Sequence, residues 1–209
     1  MIGILGGTFN PVHHGHLRLA LSAFEQLELS CVHLMLSARP PHKNTPQATS
    51  QQRWQMLQLA IEDEPALFAD DCEIHREGLS YTIDSLKNLQ QVTDETLVLI
   101  LGSDALNGLT TWHEWQSLLD YCHIVVVKRP TQTLNMSATL QHYLQNRQVN
   151  EMKRLHQCHS GYFYTLSLYP PACEVSATMI RHLINKQQNT RYLLPNSVRT
   201  FISHHGLYL

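Results

Sequence analysis

The chain has 209 residues, 43% of them apolar, with 15 basic against 17 acidic side chains. That length suits one substantial domain over residues 1–209 with an ample core. The near-neutral balance excludes a general nucleic-acid binder, and the longest apolar runs, at Leu97 and Ile124, are too short to span a membrane.

From the start, Ile2–Leu5 reads as a strand, and Leu17, Ala20, Leu21, Phe24 and Leu27 then recur at helical spacing. Val32–Leu36 reads as a second strand, followed by the loop Arg39-Pro40-Pro41-His42-Lys43. Trp54, Leu57, Ala60 and Ile61 mark the apolar face of a helix, and a short strand is expected near Cys72–His75. Ser80 is placed to cap a helix from about Tyr81 to Leu89. Leu97–Leu101 has the continuous apolar character of a strand buried on both faces, and it ends at Gly102-Ser103-Asp104.

After Trp112–Tyr121 a further strand, Ile124–Val127, closes at Lys128-Arg129-Pro130. A helix is expected around Met136–Leu144, and Tyr162–Leu168 alternates like a late strand. Ser176 caps a helix carrying Ile180, Leu183 and Ile184, and Pro195 opens a last one with Val198, Phe201 and Ile202, which Gly206 ends. Alternating strands and helices predict an α/β fold, a Rossmann-like doubly wound parallel sheet with a small helical C-terminal part. Ligands in such folds sit beyond the carboxyl ends of the strands, where the winding reverses.

Gly6-Gly7-Thr8-Phe9-Asn10-Pro11-Val12-His13-His14-Gly15-His16 follows the first strand directly. Glycines let backbone approach a ligand, a helix N-terminus favours anions, and imidazoles add donors that can become cationic. The combination suits a triphosphate. It is neither G-x-G-x-x-G nor G-x-x-x-x-G-K-[ST]. Charge is uneven: the first 53 residues hold Arg18, Arg39, Lys43 and Arg53 against Glu25 and Glu28, which predicts a local basic site for a small polyanion.

Five scattered cysteines (Cys31, Cys72, Cys122, Cys158, Cys173) lack any C-x-x-C pair and read as free thiols of a reducing compartment. No signal-peptide pattern opens the chain, so a soluble, cytoplasmic protein with no membrane or nucleic-acid partner is expected. Fourteen histidines invite a metal reading at His156-Gln157-Cys158-His159 or at His13 and His16, but neither offers a full ligand set at a defined spacing.

The H-x-G-H stretch, together with Ser176-Ala177-Thr178-Met179-Ile180-Arg181, resembles the nucleotidyltransferase superfamily. Within it, the chain resembles bacterial nicotinate mononucleotide adenylyltransferases from end to end. Supporting signals are Pro40-Pro41-His42-Lys43, Ser80-Tyr81-Thr82, Gly102-Ser103-Asp104, Trp112-x-x-Trp115, Leu193-Leu194-Pro195 and Gly206-Leu207-Tyr208. The resemblance implies a single nucleotidyltransferase domain that joins ATP to nicotinate mononucleotide, with magnesium carried by the triphosphate rather than by a protein cage.

It also implies roles. His13, His16 and Arg181 would act on the phosphates in catalysis. Gly6, Gly7, Thr8, Phe9, Gly102, Asp104, Ser176, Thr178 and Ile180 would bind ATP. Lys43, Tyr81, Thr82, Trp112 and Arg129 would bind the mononucleotide, Trp112 by stacking on its pyridine ring. Trp115 is expected in the core and His14 to be dispensable. Asn10 stands where the family more often has aspartate, which favours a structural over an electrostatic role. Other acceptors, nicotinamide mononucleotide or phosphopantetheine, remain open within the superfamily, as does a non-catalytic nucleotide-binding protein. Oligomeric state is not predicted.

Overall fold

The computed structural model describes residues 1–41, 45–128, 134, 136–167 and 175–209. Among these, seven strands form one sheet: β1 (Ile2–Gly7), β2 (Cys31–Leu36), β3 (Leu67–Asp70), β4 (Leu97–Gly102), β5 (His123–Lys128), β6 (Gln148–Val149) and β7 (Phe163–Ser167). Every pairing is parallel, in the order β3-β2-β1-β4-β5-β7-β6. The helices are α1 (His14–Gln26), α2 (Ser50–Ala60), α3 (Cys72–His75), α4 (Thr82–Gln90), α5 (Ser103–Asn107), α6 (Leu118–Tyr121), α7 (Ala138–Leu144), α8 (Ala177–Asn185) and α9 (Asn196–His204).

Strand periodicity divides the apolar residues into two cores, one on each face of the sheet. Leu97, Leu99 and Leu101 of β4 and Ile124 and Val126 of β5 pack with Ile83 and Leu86 of α4, Leu106 of α5 and Leu140 of α7. The alternate residues, Val98, Ile100, Val125 and Val127, pack with Ala20 and Ala23 of α1, Leu57 of α2, Ile180 of α8 and Val198 of α9. The C-terminal helices therefore belong to the same face as α1 and α2. Winding runs outward from β1 through β2 to β3, then restarts at β4 on the other side of β1. The reversal opens a crevice between the carboxyl ends of β1 and β4.

Two expectations are corrected. The strand foreseen at Cys72–His75 lies earlier, as β3, paired from Val32–Leu67 to Met35–Asp70. The Asp70 carboxylate then accepts from the Cys72 backbone N–H at 3.0 Å, a local turn that ends the strand and lets Cys72–His75 coil into α3. Ser80 is not a cap either. Tyr81 occupies the N-cap position of α4 without a side-chain bond, while Ser80 Oγ accepts from the Arg39 N–H at 2.9 Å. By contrast, Ser176 Oγ accepts from Met179 N–H and caps α8 as expected. The late strand spans Phe163–Ser167, and Leu168 lies outside the described residues. No helix among the described residues is long and apolar enough to cross a membrane.

Cys31, Cys72, Cys122 and Cys158 are free thiols; Cys173 lies outside the described residues. Burial pushes the Cys122 and Cys72 thiols up to about 12, so both stay protonated and unreactive near neutrality. In the His156–His159 segment the Cys158 thiol donates to Ser160 O at 3.1 Å, and His159 Nδ1 meets Thr96 Oγ1 at 3.2 Å.

His123 is fully buried, with Nδ1 accepting from Tyr162 N–H at 3.1 Å and Nε2 facing Cys158 O at 2.9 Å. One ring nitrogen must accept and the other donate, so the imidazole is neutral. Burial holds its pKa below the ordinary value. As pH falls through about 6.5 the unfolded chain takes up this proton before the folded one, so stability is lost there and is full above it. Thermal melts between pH 7.5 and 5.5 will therefore show a steeper fall in Tm for the wild type than for His123→Asn. Parallel pH profiles for the two proteins would contradict the assignment.

Candidate active site

A cleft of about 260 Å³ occupies the switch point. Gly6, Gly7 and Thr8 at the end of β1 and Leu101 and Gly102 at the end of β4 line it, together with Pro40 and Pro41, Ser80-Tyr81-Thr82, Trp112 and His113. Its glycines have different reasons to be glycine. A Cβ on Gly7 would lie 2.8 Å from the Phe9 ring, so Gly7 exists to let that ring fold under the loop. A Cβ on Gly6 would meet nothing closer than Met35, at 3.9 Å, and Gly102 has nothing within 4 Å. Those two keep the cleft open to a ligand.

One wall is the start of α4. Helix N-termini carry N–H groups without intrahelical partners and the positive end of the dipole. Arg39 fixes this wall: its backbone exchanges both hydrogen bonds with Ser80, and its guanidinium donates to the carbonyls of Gly78 (2.6 Å), Glu73 (3.2 Å) and Arg76. The His113 ring packs on Tyr81 at 4.4 Å between centroids. Trp112 faces the cleft, whereas Trp115 packs edge-on against Tyr143 at 4.9 Å, on the core.

Beyond β1 the loop Thr8–Val12 leads to His13, the N-cap position of α1. The His13 and His16 rings stack at 3.6 Å, and Phe9 meets His16 edge-on at 5.0 Å. The start of α1 offers fewer amides than its sequence suggests, because His14 N–H donates to Leu193 O at 3.1 Å. Arg181, on α8, reaches the same loop: Nη1 donates to Asn10 O at 2.7 Å and Nη2 to Thr178 Oγ1 at 3.2 Å. A guanidinium has five N–H groups, so donors remain for an anion. His14 lines a separate groove with Leu17, Arg18 and Glu64.

The loop is held from beneath by Arg53, only 1% exposed. Its guanidinium donates to four carbonyls, Thr8 and Ser37 (each 2.8 Å), Ala38 (2.9 Å) and Ala48 (3.3 Å). Burial lowers its pKa, although a guanidinium starts so high that it stays charged. This corrects the basic site expected from the N-terminal charge balance. Arg53 and Arg39 serve backbone carbonyls, and Arg18 pairs with Glu25 at 3.1 Å. Lys43, the fourth, lies outside the described residues.

A cytidylyltransferase-like family model matches residues 4–183. A protein of Marinobacter nauticus, named "Probable nicotinate-nucleotide adenylyltransferase", is 44% identical over 207 residues, covering 98% of this chain and 95% of its own. A protein of Pseudomonas fluorescens with the same name is 42% identical over 209 residues, covering 99% and 96%. This chain belongs to the nicotinate-nucleotide adenylyltransferase family. The nicotinic acid mononucleotide adenylyltransferase of Plasmodium falciparum, solved with APC, has the same fold at a TM-score of 0.73 and 16% identity, over 99% of this chain and 96% of that one.

The residues expected from the family's motifs divide into groups. Gly6, Gly7, Thr8, Gly102, Tyr81, Thr82 and Trp112 share the cleft. His13, His16 and Arg181 meet at the neighbouring loop, with Ser176 and Thr178 at the start of α8. Phe9 and Ile180 are core residues, 2% and 0% exposed, so only their backbones can reach a nucleotide. Asp104 is exposed in the first turn of α5, and Arg129 lies outside the described residues. Three contributors escaped the sequence. His113 was screened by its neighbour Trp112, Arg53 looked like one more surface cation, and Tyr208 stood only as part of the closing Gly206-Leu207-Tyr208 signal, without a role of its own.

Removing the Arg53 side chain deserts four carbonyls in two loops and leaves a cavity. Arg53→Ala is expected to lower stability by roughly 3–5 kcal/mol. Arg53→Met, which refills the space without donors, should recover less than half of that loss. Urea denaturation checks this, and a loss below about 1 kcal/mol would contradict it.

Proposed function

We propose that this chain transfers the adenylyl group of ATP to nicotinate mononucleotide, giving nicotinate adenine dinucleotide and pyrophosphate for NAD biosynthesis. The observation that carries the proposal is the junction of two unlike half-sites at the end of β1. One is a flat-walled cleft with an indole and a helix N-terminus; the other is a loop edged by stacked imidazoles and a guanidinium. The first suits an aromatic ring bearing a carboxylate, the second a triphosphate.

In this reading the mononucleotide's 5′-phosphate oxygen attacks the α-phosphorus of ATP, and the bond to the β-phosphate oxygen breaks as pyrophosphate leaves. A phosphate is already anionic, so no general base is needed, and catalysis is positioning plus charge stabilisation. His13 and His16 donate to α- and β-phosphate oxygens as negative charge builds, and Arg181, with the Ser176–Thr178 helix start, holds the β- and γ-phosphates. The backbones of Gly6, Gly7, Thr8 and Phe9 carry the nucleotide past β1, Gly102 and Asp104 face its ribose, and Ile180 contributes backbone alone.

Trp112 covers the pyridine ring, and the Tyr81–Thr82 amides meet its carboxylate, which a neutral amide would satisfy less well. Lys43 and Arg129 complete the proposal as contacts of the mononucleotide phosphate. The described residues gather no group of three or more His, Cys, Asp or Glu that could hold a metal. Magnesium carried by the triphosphate would be held by phosphate and water oxygens and would offset their charge. We further propose one nucleotidyltransferase domain over residues 1–209, acting in the cytoplasm.

Two variants separate the half-sites in a pyrophosphate-release assay. His16→Ala is expected to lower kcat by about 100-fold or more, the scale of losing one transition-state donor, with Tm nearly unchanged. Trp112→Ala is expected to raise KM for the mononucleotide by about tenfold, the worth of a stacked ring, and KM for ATP by less than about twofold. Near-normal turnover in the first variant, or equal KM changes in the second, would contradict the respective assignment.

A further inference from the structure

The Tyr208 side chain is 5% exposed, one residue from the end of the sequence. Its hydroxyl donates to Asn10 Oδ1 at 2.7 Å, across 198 positions of chain. The backbone carbonyl of the same asparagine accepts from Arg181 at 2.7 Å. Asn10 is thus gripped at two points, by the phenol on its side chain and by the guanidinium on its main chain. An amide oxygen can only accept, so the phenol must donate. Burial raises its pKa, which keeps that proton in place at any working pH.

The grip has a rigid support. Behind Tyr208 the chain leaves α9 through a turn in which Leu207 N–H donates to Ile202 O at 3.1 Å, with Gly206 at φ +58° and Tyr208 itself at φ +67°. Helix α9 packs on α2, where Ser197 Oγ donates to Leu59 O at 2.9 Å. Helix α2 also carries Arg53, which holds Thr8 O. The two helices therefore brace the Thr8–Val12 loop from one body, at Thr8 through Arg53 and at Asn10 through Tyr208.

We propose that Tyr208 is a positioning residue: through Asn10 it sets the guanidinium of Arg181 against the departing pyrophosphate. The proposal rests on the assignment of Arg181 to the β- and γ-phosphates. It gives the C-terminal tail a part in the reaction, and it explains why asparagine serves at position 10. What the site needs there is an acceptor for the phenol and a fixed carbonyl for Arg181, and a negative charge is not required for either.

The test is a set of variants measured by pyrophosphate release, with ATP and nicotinate mononucleotide each varied and Tm recorded. Tyr208→Phe is expected to lower kcat about tenfold and to weaken product inhibition by pyrophosphate, with KM for the mononucleotide within about twofold of wild type. Asn10→Ala should behave alike, and the double variant should be no worse than either single one. In an Asn10→Asp background, which keeps the acceptor, Tyr208→Phe should still cost about tenfold.

A structural role alone would move both KM values, kcat and Tm together and would add across the double variant. That pattern, or a Tyr208→Phe kcat within twofold of wild type, overturns the proposal. Arg181→Ala serves as the separate control. If it retains wild-type turnover, the assignment of Arg181 falls; if it loses turnover while Tyr208→Phe does not, only the role of Tyr208 falls.

Discussion

A buried guanidinium holds this site together. Arg53 joins the loop after β1 to the loop between β2 and α2 by donating to four backbone carbonyls. Loops at the carboxyl edge of a parallel sheet face this problem in general, since their backbone groups leave the ladder without entering a helix. A cation with several fixed donors answers it better than a set of separate side chains, because one rigid fork fixes the loops relative to one another. It does so from below, leaving the upper surface of the loops for a ligand. The location of Arg53 in α2 follows from a capping box in which Thr49 and Gln52 exchange bonds and fix where that helix begins.

The same economy appears in Arg39 and Arg181. Arg39 stitches the Pro40–Pro41 side of the cleft to Ser80, just before α4, through its backbone, and to carbonyls of Glu73, Arg76 and Gly78 through its guanidinium. Arg181 reaches from the C-terminal helices to Asn10. Three arginines thus tie the cleft and its neighbouring loop to backbone carbonyls, while in the proposed function two histidines and an indole supply most of the ligand-facing chemistry. In that reading a near-neutral protein handles polyanions without a broad basic surface. Arg39 and Arg53 act on the protein's own backbone.

Much of this was legible in the sequence. The apolar run Leu97–Leu101 announced a strand buried on both faces, and the Gly6–His16 stretch marked the turn into α1, because tight packing and polar residues at a helix start leave local signatures. Less was readable where the outcome depends on partners far along the chain. The register that made Leu67–Asp70 the strand, and Cys72–His75 a helical turn, is set by pairing with β2 and by the Asp70–Cys72 turn. Ser80 has the look of a cap, yet Arg39, 41 residues earlier, takes its hydroxyl. Arg53 could be told from a surface cation only by its burial, and the contact between Tyr208 and Asn10 spans nearly the whole chain. Lys43 and Arg129 remain assigned by family resemblance alone.

In the proposed function, the cleft beside Trp112 and the start of α4 selects a pyridine carboxylate as the acceptor of the adenylyl group. Pyrophosphate release from ATP and magnesium, with nicotinate mononucleotide, nicotinamide mononucleotide and phosphopantetheine offered in turn, tests it most directly. A kcat/KM for nicotinate mononucleotide at least about tenfold above either alternative is expected, the factor that about 1.4 kcal/mol of discrimination provides. Equal or greater turnover with either other acceptor, or no release with any of the three, would contradict it.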